Sequence, residues 1–198
     1  WIASGKCDFV VLGRQSISDP AFAEKAASGR EDEIIRCTRC LRCFPGPAEE
    51  AMAEGGLPDF CSIQPKWDRL ELSGAPAAQP KKLLIVGGGP AGCEAAIRLA
   101  HRGHRVTLCE KKTQLGGLLR LAANVPTRYE FSNLIHYYEA ALFDAGVNIL
   151  LGCTVTPDDA KGFDAVVLAT GAPAAAPEIE TDGSVRIASV EDILSGKL

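Results

Sequence analysis

The stretch that decides the fold is Lys82–Glu110, KLLIVGGGPAGCEAAIRLAHRGHRVTLCE. It begins with a short apolar run, Leu83–Val86, which has the length and composition of a buried strand. Three glycines follow at the spacing GxGxxG, and Pro90 suits a first helical turn because its missing N–H would be unpaired there. Apolar residues then recur at helical spacing, Gly103 is placed to end the helix, and Val106–Cys109 predicts a second strand. The stretch therefore predicts a strand–helix–strand unit of a parallel sheet.

The glycines of this unit indicate a nucleotide ligand. In such a turn Gly87 permits the tight bend, Gly89 lets a pyrophosphate approach the backbone, and Gly92 lets helix and strand pack closely. The helix N-terminus offers unpaired N–H groups and a partial positive charge to phosphates. Glu110 lies 18 residues beyond Gly92, where a carboxylate can hold ribose hydroxyls. A tight turn without a ligand is the alternative, but the register of strand, helix, second strand and acid favours a dinucleotide site.

Composition excludes several other classes of function. The net charge is −4, which does not indicate general binding to nucleic acid or to a membrane surface. No apolar run approaches the ~20 residues of a membrane helix, and the N-terminal residues lack the pattern of a signal peptide. The layout of the 8 cysteines indicates reduced thiols rather than disulfides. We therefore expect a cytoplasmic protein with no nucleic-acid or membrane partner, and the sequence leaves open whether it forms a homo-oligomer.

A compact cysteine cluster, CTRCLRC, occupies Cys37–Cys43, and Cys61 follows after 17 intervening residues. Three thiolates at CxxCxxC spacing can hold three corners of an iron–sulfur cube, with a fourth ligand from elsewhere. Arg39 and Arg42 would offset the negative charge of such a cluster. Structural zinc is an alternative, although zinc sites more often show two separated CxxC pairs or Cys/His mixtures, and free thiols or disulfides are another. Four scattered cysteines are predicted to be small buried hydrophobes: Cys7, Cys93, Cys109 and Cys153.

The residues before the cluster predict one more strand and helix. Cys7–Leu12 is an apolar run of strand type, Asp19 can cap a helix that starts near Pro20, and Gly29 can end it. Because one strand and one helix cannot bury their own apolar faces, and the chain opens without a methionine, we expect the last repeat of a larger domain. Beyond Glu110 the patterns predict a glycine turn at 115–117, a helix over 131–145, strands at 147–151 and 165–169, a strand-like stretch at 151–156 and a short helix at 190–194.

Three features coincide in one order: GKCDFVVLGRQSISDPAFAEK, then CTRCLRC with CSIQP, then KKLLIVGGGPAGCEAAIRLAHRGHRVTLCEKKTQLGG. The combination resembles the iron–sulfur branch of the old yellow enzyme family, which includes 2,4-dienoyl-CoA reductase, trimethylamine dehydrogenase and related NADH:flavin oxidoreductases. The resemblance covers nearly the whole chain and implies an α/β, Rossmann-like FAD/NAD(P)-binding domain with a parallel sheet. The implied domains are residues 1–30 as the C-terminal βα unit of an FMN-binding TIM barrel, 31–75 as an irregular [4Fe–4S] segment, 76–81 as a linker and 82–198 as an incomplete FAD-binding domain.

The resemblance also implies which residues hold each cofactor. The [4Fe–4S] ligands that it implies are Cys37, Cys40, Cys43 and Cys61. The FMN phosphate would contact Gly13 and Arg14, for which a surface ion pair is the alternative role of the arginine. The ADP half of FAD would meet Gly87, Gly89, Pro90, Ala91, Gly92, Glu110 and Gly117, with adenine at the backbone of Val155. The flavin nucleotide would lie beside Ala169, Thr170 and Gly171, whose alternative is an ordinary strand end.

In that family hydride passes from NAD(P)H to FAD, electrons cross singly through the cluster, and FMN reduces an activated C=C bond. The resemblance therefore implies an oxidoreductase acting on an enoate, enone or dienoyl-CoA, with the redox chemistry supplied by the cofactors. It assigns no catalytic residue to this stretch, which alone is expected to be inactive, since the FMN pocket and a second GxGxxG would lie outside it. Two alternatives remain open: a member like the amine dehydrogenases whose Rossmann domain binds only ADP, and a zinc-stapled nucleotide-binding module.

Overall fold

The structure is a computed structural model that describes residues 1–43, 61–64, 75–172, 179–185 and 187–197. The chain divides into two compact units, Trp1–Ser73 and Gly74–Leu198. Parts of the segments predicted as cluster-binding and as the end of the nucleotide domain lie outside the described residues. Within the described ranges no helix is both long enough and apolar enough to cross a bilayer.

The described part of the first unit contains short helices and extended backbone. Its elements are α1 (Arg14–Ser18), α2 (Phe22–Ala27) and a 3₁₀ turn (Glu31–Glu33). Asp19 lies between the helices, where its Oδ1 accepts the N–H of Ala21 at 3.1 Å. Gly29 follows α2 with a φ of 72°, in the left-handed region that favours glycine. The predicted stop is confirmed, but α2 begins at Phe22, so its N-cap is Ala21 and not Asp19 as predicted.

The strand predicted at Cys7–Leu12 is wrong. These residues form no strand, and the side chains of Phe9 and Val11 are 75% and 86% exposed. A strand is stabilised by hydrogen bonds to a neighbouring strand, and no described residue of the first unit supplies one. The helix α1, which the sequence pattern did not predict, begins directly after this segment.

The second unit is built on a parallel sheet of four strands within its described part. The strands are β1 (Lys82–Val86), β2 (Arg105–Glu110), β3 (Asn148–Leu151) and β4 (Ala165–Leu168), in the spatial order β3-β2-β1-β4. Every pairing is parallel, with Val86 of β1 opposite both Cys109 of β2 and Leu168 of β4. The carboxyl ends of these strands therefore meet at one edge of the sheet. The predicted α/β class with a parallel sheet is confirmed.

Helices connect the strands of the sheet and follow the last of them. They are α3 (Pro90–His101), α4 (Leu118–Ala123), α5 (Glu130–Asp144) and α6 (Val190–Leu194). The helix α3 packs on β1 and β2 and against α5. Its inner face carries Cys93, Ala96 and Ile97, which are buried together with the strand residues Leu84, Ile85 and Leu108. Apolar burial of this kind is the main force that holds a sheet and its helices together.

The structure also corrects the end of β3. The strand stops at Leu151, so the segment at residues 152–156 is not a strand as its pattern predicts. Gly152 has a φ of 66°, which turns the chain out of the extended conformation. The N–H groups of Gly152 and Cys153 still donate to the carbonyls of Lys112 and Glu110, at 2.9 and 3.0 Å. These bonds hold the segment beside the carboxyl end of β2.

Candidate functional site

The turn between β1 and α3 depends on two close approaches of backbone to backbone. Gly87 has a φ of 109°, and a Cβ at this position would meet the carbonyl oxygen of Ala169 and, at 2.8 Å, its carbonyl carbon. A Cβ at Gly92 would meet the carbonyl oxygen of Gly87. Only glycine fits either position without moving backbone. The tight turn and the close helix–strand packing that the spacing predicts are both present.

Gly89 is different, because the space in front of it is open. It is the N-cap of the twelve-residue helix α3, and a Cβ there would meet no heavy atom within 4 Å. The first turn of α3, which contains Ala91 and Gly92, directs backbone N–H groups and the positive end of the helix dipole at this opening. The second glycine turn borders it, since a Cβ at Gly117 would lie 3.2 Å from the Cα of Gly89.

Glu110, at the end of β2, ties this turn to the loop that follows the strand. The residue is 6% exposed, its Oε2 accepts the N–H of Gly88 at 2.7 Å, and its Oε1 accepts the N–H of Lys112 at 2.8 Å. A carboxylate can accept about four hydrogen bonds, so acceptor capacity remains for ribose hydroxyls. The carbonyl of Gly88 in turn accepts the N–H of Gly116 at 2.8 Å. The role of Gly88 was not predicted, and the glycine run GGG was its one signal in the sequence.

The turn after β4 lies against the same edge. The N–H of Ala169 donates to the carbonyl of Val86 at 2.8 Å, and the Cα of Thr170 lies 3.2 Å from the place that a Cβ of Gly87 would take. Gly171 follows with a φ of 74°. Val155 is half-buried in the segment after β3, and no backbone hydrogen bond joins it to another described residue. The structure thus brings the predicted ADP and flavin positions of the second unit to one sheet edge.

Two thiols close to this edge are buried. Cys93 is fully buried and its Sγ donates to the carbonyl of Gly88 at 3.4 Å, while burial raises the pKa of the thiol to about 12. Burial, together with the neighbouring Cys153 thiol, raises the pKa of Cys109 to about 11. The prediction that these two cysteines are small buried hydrophobes is confirmed. Cys7 and Cys153 are only half-buried.

The cysteine loop of the first unit has an unusual backbone. Arg39 and Leu41 have φ values of 53° and 61°, a left-handed conformation that is uncommon for side chains of this size. Alternation of left-handed and ordinary residues turns successive N–H groups toward one side and forms the anion-binding concavities found at many iron–sulfur sites. The N–H of Arg39 donates to the Sγ of Cys37 at 3.4 Å. This loop conformation fits a group that carries negative charge.

Cys61 lies within electrostatic reach of both Cys37 and Cys40. The Sγ of Cys40 is 3.3 Å from the hydroxyl oxygen of Ser62. Partial burial would raise the pKa of Cys40, but hydrogen bonds from Ser62, the Arg42 backbone and the Thr38 hydroxyl lower it overall. Burial raises the pKa of Cys61, and the neighbouring Cys40 and Cys37 thiols raise it further, against hydrogen bonds from nearby backbone N–H groups.

The two kinds of metal centre that the sequence leaves open differ in how far apart their ligands stand. No three His, Cys, Asp or Glu side chains of the described residues converge where they could hold one metal ion. A zinc site requires its ligands around one point, at about 2.0–2.3 Å from the ion. The thiolates of an iron–sulfur cube bind different irons and therefore stand farther apart. Cys43 is half-buried at the end of the described loop, and no contact among the described residues joins its thiol to the other three.

Gly13 and Arg14 lie in the first unit. Gly13 is exposed and precedes α1, of which the half-buried Arg14 is the first residue. Their contact with an FMN phosphate stays a prediction. The side chains of Gln15, Asp19 and Ser62, which hold the cysteine loop, were not predicted in that role, because their partners are distant in sequence.

A parallel sheet with a glycine turn, a helix N-terminus and a buried acid at its carboxyl edge defines a Rossmann-like dinucleotide-binding domain. Residues 81–197 match the model of one family with such a domain, described as pyridine nucleotide-disulphide oxidoreductase. The chain belongs to this family.

Known proteins resemble the chain over its whole length. It is 36% identical over 206 residues to an NADH oxidase of Thermoanaerobacter brockii, covering 100% of this chain and 31% of the relative. It is 38% identical over 201 residues to a cinnamate reductase of Clostridium sporogenes, covering 98% of this chain and 28% of the relative. A solved structure of 2-naphthoyl-CoA reductase with 2-naphthoyl-CoA matches with a TM-score of 0.87 at 34% identity, covering 100% of this chain and 30% of that one. The chain spans less than a third of these proteins, and the family resemblance found in the sequence is confirmed.

Proposed function

We propose that the chain is the electron-transfer segment of an NAD(P)H-dependent flavin and iron–sulfur oxidoreductase that reduces an activated C=C bond. The bound cofactors would supply the redox chemistry, with electrons passing from NAD(P)H through FAD and a [4Fe–4S] cluster to FMN. The chain's own residues bind and orient the FAD and the cluster. The observation that carries the proposal is the open space in front of Gly89, which the second glycine turn borders. The buried Glu110 holds the neighbouring Gly88.

The nucleotide part of the proposal rests on the contacts at the carboxyl edge of the sheet. The pyrophosphate would lie over Gly89, where backbone can approach a ligand closely and the α3 dipole stabilises negative charge. Glu110 is held by the N–H groups of Gly88 and Lys112, which fixes its carboxylate before a ribose arrives. Adenine would pair with the backbone of Val155, whose polar groups have no backbone partner among the described residues.

The metal part rests on the cysteine loop. Cys37, Cys40, Cys43 and Cys61 would hold the cluster, and the hydrogen bond from the N–H of Arg39 to Cys37 is of the kind that tunes its potential. The left-handed residues of the loop and the lowered pKa of Cys40 both favour thiolate ligands around a negatively charged iron–sulfur cluster.

The proposed domain organisation follows the sequence boundaries. Residues 1–30 would complete an FMN-binding barrel, with Gly13 and Arg14 at the FMN phosphate. Residues 31–75 would bind the cluster and residues 82–198 the ADP half of FAD, with residues 76–81 as the linker between these two segments. The nicotinamide and the substrate would bind to other parts of the protein. The names of the relatives support a substrate that is an unsaturated or aromatic acid or its CoA thioester, since one is called a cinnamate reductase and another a 2-naphthoyl-CoA reductase.

The test is the cofactor content of the full-length protein purified without oxygen. We expect iron and acid-labile sulfide in equal amounts, four of each for one cube, together with releasable FAD and FMN. Zinc without sulfide would refute the cluster, and ADP without FAD would show that the Rossmann domain only binds a nucleotide. Cinnamate-dependent oxidation of NADH or NADPH then tests the activity, and a cofactor-loaded protein that reduces no enoate, enone or enoyl thioester would refute the substrate class.

A further inference from the structure

The side chain of Gln15 binds the backbone that enters the cysteine loop, although it lies 22 residues before Cys37. Its Nε2 donates to the carbonyl of Ile35 at 3.1 Å, and its Oε1 accepts the N–H of Cys37 at 3.0 Å. The side-chain amide of Gln15 thus pairs with a backbone C=O and a backbone N–H that are two residues apart, as the backbone of a neighbouring strand would. Cys37, the first cysteine of the loop, is therefore held in place by a side chain of α1.

Asp19 strengthens the same attachment. It is 2% exposed, and its Oδ2 accepts the N–H of Ile35 at 2.9 Å and the Nζ of Lys25 at 2.8 Å. The Nζ of Lys25 also donates to the carbonyl of Glu33 at 2.9 Å. These hydrogen bonds are partly or fully buried and some of them join charged groups, so each contributes more to stability than an exposed hydrogen bond between neutral groups. Residues 33–37 are therefore fixed to the helical segment before them, and Cys37 begins the loop from a defined position.

The attachment also decides what the N–H of Cys37 does. Because this N–H donates to Gln15, it is not directed at the sulfur atoms of the loop, whereas the N–H of Arg39 is. The number of N–H groups that donate to cluster sulfurs is one of the protein's means of setting a cluster's reduction potential. Gln15 thus controls both the placement of Cys37 and the hydrogen bonding around it.

We propose that Gln15 is a positioning residue for the iron–sulfur cluster, which holds the Cys37 ligand and keeps the Cys37 N–H away from the cluster sulfurs. This inference rests on the proposed function, since it takes Cys37 to be a ligand. It assigns a role in metal binding to a residue outside the cysteine motif. It also predicts two separate effects of substitution, one on retention of the cluster and one on its potential.

The test compares two variants with a neighbouring control. Q15M keeps a side chain of similar length but removes both hydrogen bonds, whereas Q15E keeps the acceptor for Cys37 and removes the donor to Ile35. The control is S16A, because Ser16 is an exposed residue of the same helix. Full-length protein purified without oxygen is assayed for iron and sulfide, for the rate of cluster loss to a chelator, and for midpoint potential by EPR-monitored titration.

We expect Q15M to lose its cluster about tenfold faster than wild type, since two net hydrogen bonds are worth about 1.4 kcal/mol or more. Its potential should rise because the Cys37 N–H becomes free to donate to sulfur. Q15E should lower the potential, because it adds a negative charge near the cluster, and S16A should match wild type. Opposite shifts of potential are not produced by general loosening of the fold.

Wild-type retention and potential in both Gln15 variants would overturn the inference and leave the proposed function intact. Should Q15M fail to fold, Q15E alone decides, and an unchanged potential in it would count against the inference. Wild-type protein without iron and sulfide would instead refute the cluster itself, and the inference with it.

Discussion

Two glycines of one motif are expected to respond in opposite ways to the same added methyl group. In Gly92→Ala the new Cβ would meet the carbonyl oxygen of Gly87 and lie 3.0 Å from its carbonyl carbon. Both atoms are backbone, so β1 and α3 must separate. In Gly89→Ala the new Cβ would meet no heavy atom within 4 Å of the protein, and the φ of −77° suits alanine. The methyl would instead occupy the space that a pyrophosphate needs.

The magnitudes follow from these contacts. Alanine is intrinsically better than glycine inside a helix by about 1 kcal/mol, but overpacking against fixed atoms costs typically about 1–3 kcal/mol and sometimes more. We expect Gly92→Ala to be destabilised by about 2 kcal/mol net. In Gly89→Ala a small loss at the N-cap and a gain from the less flexible unfolded chain cancel to within about 0.5 kcal/mol. Its affinity for the nucleotide should fall at least about tenfold, which corresponds to 1.4 kcal/mol.

The assays use nucleotide-free full-length protein: thermal unfolding by calorimetry, and titration with FAD and with ADP. Gly92→Ala should unfold several degrees below wild type, and Gly89→Ala at the wild-type temperature with weak binding of both nucleotides. A Gly92→Ala protein as stable as wild type would refute the packing argument. A Gly89→Ala protein that binds FAD and ADP normally would refute the placement of the pyrophosphate.

Three further predictions concern buried groups and the metal. Folding raises the pKa of Cys93 from 9.0 to about 12, so the protonated thiol stabilises the fold fully below pH 9, and this stabilisation is lost as pH rises toward 12. Between these pH values the free energy of unfolding should fall by up to about 1.4 kcal/mol per pH unit. In denaturant titrations Cys93→Ala should reduce that slope. In Glu110→Gln the amide NH₂ must face the N–H of either Gly88 or Lys112, so one of the two hydrogen bonds is lost. The free energy of unfolding should fall by about 1–3 kcal/mol, and FAD binding should weaken. A variant as stable as wild type would contradict these hydrogen bonds. Anaerobic removal of iron by a chelator should abolish NAD(P)H-dependent reduction of an enoate but leave FAD bound, and loss of FAD together with iron would contradict separate sites.

The nucleotide half of the molecule could be predicted largely from sequence because its signals are local. The bounds of β1, α3 and β2 lie within a residue or two of their predicted positions, and Gly103 ends α3 as expected. Strand composition, helical spacing and glycine stops act over a few residues, so they can be read without knowledge of the fold. The buried acid at Glu110 belongs to the same local pattern.

Predictions failed where an element depends on a distant partner. Cys7–Leu12 has strand composition, but a strand requires a neighbour, and the described first unit has none to offer. The strand predicted at residues 151–156 ends early for a different reason, because Gly152 turns the chain out of the extended conformation. The short helices α1 and α4 were also not predicted from the sequence pattern.

The sequence by itself determined the class of the protein: the strand–glycine–helix pattern specifies a dinucleotide-binding domain through short-range geometry, and the cysteine spacing predicts a metal-binding loop. Only the tertiary structure decided which groups meet. In the folded chain the carbonyl of Ala169 lies close to Gly87, the carboxylate of Glu110 accepts the N–H of Gly88, and the side chain of Gln15 accepts the N–H of Cys37. These contacts link residues that are roughly 20 to 80 positions apart, and they depend on the order of strands and the packing of helices, which no local propensity encodes.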